Sequence, residues 1–337
     1  MQKQRPFLSW VPHRVSKPLV LSDATYFATS TPKPLPAQAI VDSFMRHGYM
    51  TLKLDTPKSD MARLKATSKP LLTQWRTLSA GDKHTLPNAV YPYQQGTVLV
   101  HHRSKENPIQ SFFEGFVGIV RGDKRSFLPF EPLQWRWYAK VKPTQEAQAF
   151  EKQVSHHTKK VHDTLRTYFN RLHEGLTQER KGVGASETMT HFRLATYLAP
   201  PKGIPSASLL PRAWRTQTPH QDRSYMTVFL DETSPGTHLM QTPQGADSSG
   251  QRVSLPKYHS VRILPVAKDT VHIFPGKAWM KKLQTMLQKQ PSPLSDKTQA
   301  RLKAWIAHFN TYHAGGLRHQ DASRTTVFAF LQPNRLS

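Results

Sequence analysis

The chain has 337 residues, 37% of them hydrophobic, which is enough apolar material for a substantial core. It contains no cysteine, which excludes disulfides, thiolate nucleophiles and sulfur-held zinc or iron–sulfur clusters, so any metal must be held by His, Asp or Glu. The formal net charge of +25 points to an anionic partner or to a diffusely basic surface.

Lys and Arg are scattered rather than gathered in one block, and no zinc-finger, RRM or KH signature accompanies them. A diffuse basic surface is therefore expected, with nucleic acid as a less favoured partner. The amino-terminal stretch "MQKQRPFLSWVPHRVSKP" has no continuous apolar run of the signal-peptide kind. No segment approaches the roughly 18 uninterrupted apolar residues of a membrane span. A soluble, cytoplasmic protein is expected.

In chain order, residues 1–35 are proline-rich and read as an irregular arm or strap. Over 36–48, "PAQAIVDSFMRHG" puts Ile40, Val41, Phe44 and Met45 on one helical face, with Gly48 as a stop. "YMTLKLD" at 49–55 alternates like a strand, 57–80 reads as a helix, and 89–120 holds strand-like apolar runs. A further helix over 156–176 carries the stripe Val161, Leu165, Tyr168, Phe169, Leu172 and Leu176. Its histidines, His156, His157, His162 and His173, read as solvated or packed helix residues rather than ligands.

From Phe192 onward short apolar runs punctuated by Pro and Gly predict an antiparallel sandwich or jelly roll. A helical insertion at 281–316, with apolar positions Leu302, Trp305, Ile306 and Phe309 and a Gly315–Gly316 stop, interrupts the late strands. The expected fold is α+β and mainly β. It has a double-stranded β-helix (jelly roll) core at 151–337, flanking helices, and an amino-terminal helix-and-strand region at 36–150.

His-Gln-Asp occurs twice, in "PHQDRSYMTVFL" at 219–230 and in "RHQDASRTTVFAF" at 318–330. No repeat surrounds the two copies. Residues i and i+2 at a strand edge share a face, so a His-x-Asp pair can grip one divalent metal. A third ligand from a distant strand would complete a two-His, one-carboxylate triad with open positions suited to Fe(II) oxygenase chemistry. After Asp222 several strands remain to enclose a site, whereas after Asp321 only 16 residues remain, room for about one strand. One site is therefore expected, with His220 and Asp222 from the first segment and His319 from the second. Arg324 and Thr326 share a strand face, and an Arg fork with a hydroxyl suits the far carboxylate of a dicarboxylate.

With these residues in place, the sequence resembles the isopenicillin N synthase-like branch of the 2-oxoglutarate and Fe(II)-dependent dioxygenases, a group that includes the bacterial ethylene-forming enzyme. The resemblance runs over most of 36–334. It is carried by "AIVDSFMRHGYMTLKLD", "LSAGDKHTL", "SFFEGF", "FRLATYLAPP", "HQDRSYMTVFLDETSPGTHLM", "VRILPVAKDTVHIFPGKAW" and "RHQDASRTTVFAFLQPN". It implies Fe(II) held by His220, Asp222 and His319. It also implies 2-oxoglutarate bound through Arg324, with Thr326 in place of the usual serine and Tyr197 as a further contact. His319 lies five residues before Arg324, fewer than the family's usual spacing, and His313, eleven residues before it, is the alternative third ligand. The implied activity is oxidation, by default hydroxylation, of a small organic substrate with O2, coupled to conversion of oxoglutarate to succinate and CO2. The basic character of the chain weakly favours an anionic substrate. The alternatives are a catalytically degenerate member of the fold that binds an anionic partner, a polyanion-binding module, and a His/Asp metal hydrolase.

Overall fold

The computed structural model describes residues 17–27, 33–78, 95–104, 107–118, 144–197, 215–233, 237–241, 259–264, 267–289, 294–307, 313–316 and 324–334. Strand β1 (Val20–Ser22) leads into the short helix α1 (Asp23–Phe27), so ordered elements lie within the segment expected to be irregular. Helix α2 (Ala37–His47) ends where the sequence predicted. Gly48 adopts φ 75°, a left-handed conformation that glycine reaches without strain, and its N–H bonds to Phe44 O. Strand β2 (Met50–Lys53) follows, then α3 (Asp60–Thr77), whose Ser59 cap accepts from the Ala62 N–H at 3.1 Å.

Next come strands β3 (Gln95–Ser104) and β4 (Asn107–Gly118) and the 33-residue helix α4 (Gln145–Thr177). Strands β5 (Thr188–Tyr197), β6 (Arg215–His220), β7 (Met226–Glu232), β8 (Thr237–Gln241), β9 (His259–Leu264) and β10 (Thr270–Pro275) follow. Helices α5 (Lys277–Gln288) and α6 (Asp296–Ala307) then precede β11 (His313–Gly316) and β12 (Arg324–Pro333).

The strands form two sheets. The larger has the order β1-β2-β10-β7-β12-β5-β4-β3, and the smaller β6-β11-β8-β9. All pairings are antiparallel except β1 with β2, which is parallel. The insertion read from the sequence is two helices, and the Gly315–Gly316 pair that resembled a helix stop belongs instead to β11. That strand is flanked by β6 and β8, so its backbone groups are paired on both sides and its glycines need no side-chain packing to hold it.

Burial follows the two periodicities. On β7 and β12, Met226, Val228, Leu230, Val327, Ala329 and Leu331 join the cluster packed with the helices. The alternate residues Phe229 and Phe328 join Tyr49, Phe274, Leu239 and Leu264 between the two sheets. Every member of the predicted α4 stripe is buried, and the stripe continues upstream through Phe150 and Val154. Phe44 of α2 stacks on Trp305 at 5.3 Å and meets Trp279 edge-on at 5.9 Å, sealing α5 and α6 into the helical layer. Among the described residues no helix is long and apolar enough to cross a membrane.

Three of the four α4 histidines are buried. His157 faces Thr67 Oγ1 through Nδ1 (3.1 Å) and Ser68 Oγ through Nε2 (2.9 Å). The Trp279 Nε1–H donates to His173 Nδ1 at 3.2 Å. Burial, with smaller contributions from nearby Lys160 and His156 for one and Lys282 for the other, pushes both imidazoles down from 6.5 to about 4. The unfolded chain therefore takes up these protons first as pH falls. Stability is full above pH 6.5 and is lost progressively towards pH 4. Urea midpoints measured at about pH 7, about 5.5 and about 4.5 should decline in that order. The decline should be shallower in His157→Gln.

Candidate metal centre

His220 ends β6 in the smaller sheet, and β7 of the larger sheet begins at Met226. Asp222 thus sits where the chain crosses between sheets. His313 opens β11 and is the direct cross-strand partner of His220. The side chains of His220, Asp222 and His313 converge, each offering a ligand atom, with all three atoms within 4.8 Å of one another. His220 Nε2 lies 3.5 Å from Asp222 Oδ1, and His313 Nε2 lies 3.6 Å from Asp222 Oδ2. The two imidazoles are tilted by 53° with centroids 4.4 Å apart, and Phe274 flanks His313 at 5.3 Å.

The carboxylate is buried. Burial alone would raise its pKa. The positive potential of His313 and His220 and hydrogen bonds from His220 and Thr227 prevail, holding Asp222 below the ordinary carboxylate range. Thr227 Oγ1 donates to Asp222 Oδ2 at 2.6 Å and lies 2.9 Å from Ser224 Oγ. Two nitrogen donors and an ionised carboxylate within this spacing fit a first-row divalent cation, whose cis ligands at about 2.0–2.2 Å would stand near 3 Å apart.

Backbone contacts hold the loop that bears Asp222. The first turn of α5 turns its N–H groups on that loop: Gly276 N donates to Tyr225 O (3.0 Å), Lys277 N to Asp222 O (2.9 Å) and Ala278 N to Ser224 O (3.1 Å). These are donors a helix leaves unpaired at its start, here satisfied by the metal-site loop. Tyr225 N donates in turn to Leu331 O on β12 at 2.7 Å.

Of the residues expected from the sequence, His220, Asp222 and His313 are brought together, while His319 and Asp321 lie outside the described residues. Arg324 and Tyr197 are direct partners across β12 and β5, and Thr326 faces Ala195 two pairs further in. Thr326 is fully buried, and its hydroxyl has no hydrogen-bond partner among the described residues. An orphaned hydroxyl two residues from an Arg along one strand face fits a ligand carboxylate arriving there. His272 of β10 is buried against Tyr49 (5.3 Å) and Thr51 Oγ1 (3.1 Å). Sequence reasoning missed Thr227 and Ser224. The signal was a hydroxyl five residues after Asp222, inside an otherwise apolar strand.

Solved structures share this fold. A full-length Neurospora crassa protein in complex with alpha-KG and 5-formyluracil matches with a TM-score of 0.58 at 13% identity, over 97% of this chain and 88% of that one. The dioxygenase for auxin oxidation in rice matches with a TM-score of 0.52 at 13% identity, over 93% and 82%. Dioxygenase for auxin oxidation 1 from Arabidopsis thaliana, in its complex with 2-oxoglutarate, matches with a TM-score of 0.51 at 13% identity, over 95% and 94%. No protein-family model and no curated protein matches the sequence.

Proposed function

We propose that this chain is a 2-oxoglutarate- and Fe(II)-dependent oxygenase of the isopenicillin N synthase-like kind, with a jelly-roll core and iron held by His220, Asp222 and His313. The observation that carries this reading is the convergence of two imidazoles and one carboxylate within 4.8 Å, in a fold shared with proteins solved with alpha-KG or 2-oxoglutarate. When bound, iron and oxoglutarate supply the chemistry: O2 is reduced while oxoglutarate becomes succinate and CO2, and one oxygen atom is inserted into a substrate C–H bond.

The chain's own part is placement. His220 and His313 would offer imidazole nitrogens from paired strands, and Asp222 would supply the negative charge. Arg324 and Thr326 would receive the distal carboxylate of oxoglutarate, with Tyr197 opposite Arg324 in the strand register. The test is anaerobic titration of the metal-free protein with Fe(II) and oxoglutarate, following the weak visible charge-transfer band of that chelate. Its appearance, followed by succinate release on admitting air with substrate, supports the reading. A folded protein that gives no band overturns it and leaves a binding protein of the same fold.

The substrate is proposed to be anionic. Arg223 follows Asp222 directly, and Lys277 is tied to the Asp222 carbonyl; both side chains are exposed. Charge reversal, Arg223→Glu with Lys277→Glu, should raise KM for an anionic substrate about tenfold at low salt and leave oxoglutarate affinity unchanged. That effect should shrink as ionic strength screens it over a Debye length of about 8–10 Å. An unchanged KM at low salt counts against an anionic substrate.

A further inference from the structure

A second hydroxyl stands across from Thr326. Thr237 opens β8 in the smaller sheet and is 2% exposed, and its Oγ1, like that of Thr326, has no hydrogen-bond partner among the described residues. The strand periodicity fixes where each points. Leu239, two residues after Thr237, belongs to the cluster between the sheets and pairs directly with His313. Phe328, two residues after Thr326, packs on the same cluster from the larger sheet. Both threonines therefore face the space between the sheets, from opposite walls.

They also lie at the same end of that space. Thr326 pairs with Glu232 at the end of β7, and the next residue, Thr233, is bonded to Thr325 in both directions: Thr233 N to Thr325 O (2.9 Å) and Thr325 N to Thr233 Oγ1 (3.0 Å). Only residues 234–236 separate Thr233 from Thr237. Along β8, Thr237 is two positions from the residue opposite His313, about 7 Å from the metal ligands' level. That step is of the order of the distance between the two carboxylates of a five-carbon dicarboxylate.

A buried hydroxyl without a partner weakens the fold unless something else satisfies it. Two such groups facing the space between the sheets, one of them two residues from Arg324 along its strand, share a single explanation in a ligand that both can reach. We propose that Thr237 is a further cosubstrate-binding residue, donating its hydroxyl hydrogen to the distal carboxylate of oxoglutarate from the wall opposite Arg324 and Thr326. The assignment rests on the oxygenase reading above, and the experiment separates the two.

Oxoglutarate binding to the Mn(II)-loaded protein is measured calorimetrically without oxygen, in wild type, Thr237→Val and Thr237→Ser, beside each variant's melting temperature without ligand. Valine keeps the shape and removes the unsatisfied group, so the free variant should melt at or above the wild-type temperature. Its oxoglutarate affinity should fall by about tenfold or more, as expected for losing a hydrogen bond to a charged group. Serine should restore affinity to within about threefold. The loss should be specific to the distal carboxylate, so the weaker binding of 2-oxobutyrate, which lacks that group, should be unchanged by Thr237→Val. Should valine prove insoluble, Thr237→Ala carries the same comparison. Equal oxoglutarate affinity in wild type and variant overturns the assignment, as does an equal loss for both ligands. A wild type that binds no oxoglutarate overturns the oxygenase reading itself.

Discussion

Alanine at position 313 should remove metal binding, whereas alanine at position 319 should leave it intact. His313 stands across from His220 in the β11–β6 pairing and reaches Asp222 at 3.6 Å, so its loss takes away one of three donors and leaves the carboxylate facing a single imidazole. Loss of a group that merely orients a ligand costs about 10–100-fold in metal affinity; loss of the ligand itself should exceed that. Co(II) titration of the metal-free protein reads the affinity directly, and the Fe(II)–oxoglutarate band reads assembly of the full site. His220→Ala and Asp222→Ala should behave like His313→Ala. If His319→Ala abolishes both signals while His313→Ala keeps them, the third ligand is His319 and β11 serves only to wall the site.

Gly276→Ala should also weaken the site, and the fold with it, through the backbone alone. A Cβ at this position would stand 2.0 Å from Ser224 O and 2.7 Å from Ser224 Oγ. The first of these is main chain, and no side-chain rotation relieves it. Either α5 moves away from the 222–225 loop or the loop moves away from α5. Both break the three N–H bonds that hold Asp222, Ser224 and Tyr225. Overpacking of this sort costs about 1–3 kcal/mol, and the displaced carboxylate should lower Co(II) affinity by about tenfold in addition. Thermal midpoint and Co(II) titration test the two effects separately. Gly184→Ala is the control, since its Cβ would meet Glu187 at an ordinary 3.6 Å, and it should change neither.

Much of this arrangement was legible in the residues. The α4 stripe, the glycine that ends α2, and the apolar runs that became β7, β10 and β12 all announce themselves through periodicity or backbone chemistry. The His220–Asp222 pair was visible for the same reason, because two residues apart on a strand edge means one face. Strand β11 was not visible. "HAGG" has no β-branched or large apolar residue to mark a strand, and two glycines after a helical pattern ordinarily mean an end. The segment is a strand because β6 and β8 lie on either side of it, which is a fact of topology. The identity of the third donor depends on that same fact. The sequence offers His313 and His319 six residues apart, and nothing local says which one faces His220. Thr237 escaped notice for a related reason. A threonine at the start of a strand is unremarkable until the partners it lacks are known.

The parallel pairing of β1 with β2 bears on where the chain can be shortened. Residues 20–27 precede the stretch in which the helical and strand patterns become obvious, yet Val20, Leu21 and Ser22 are in register with Thr51, Leu52 and Lys53. They are tied down further by a Tyr168–Asp23 hydrogen bond, by Arg171 donating to Tyr26 O at 2.9 Å, and by Phe27 stacked on Tyr168 at 4.3 Å. A chain trimmed to begin at Pro36 would strip this cover and leave β2 as a bare edge, with its N–H and C=O groups free to recruit a strand from another molecule. Self-association of such a fragment would then arise at the margin of the sheet, in a protein whose high positive charge should otherwise keep its copies apart.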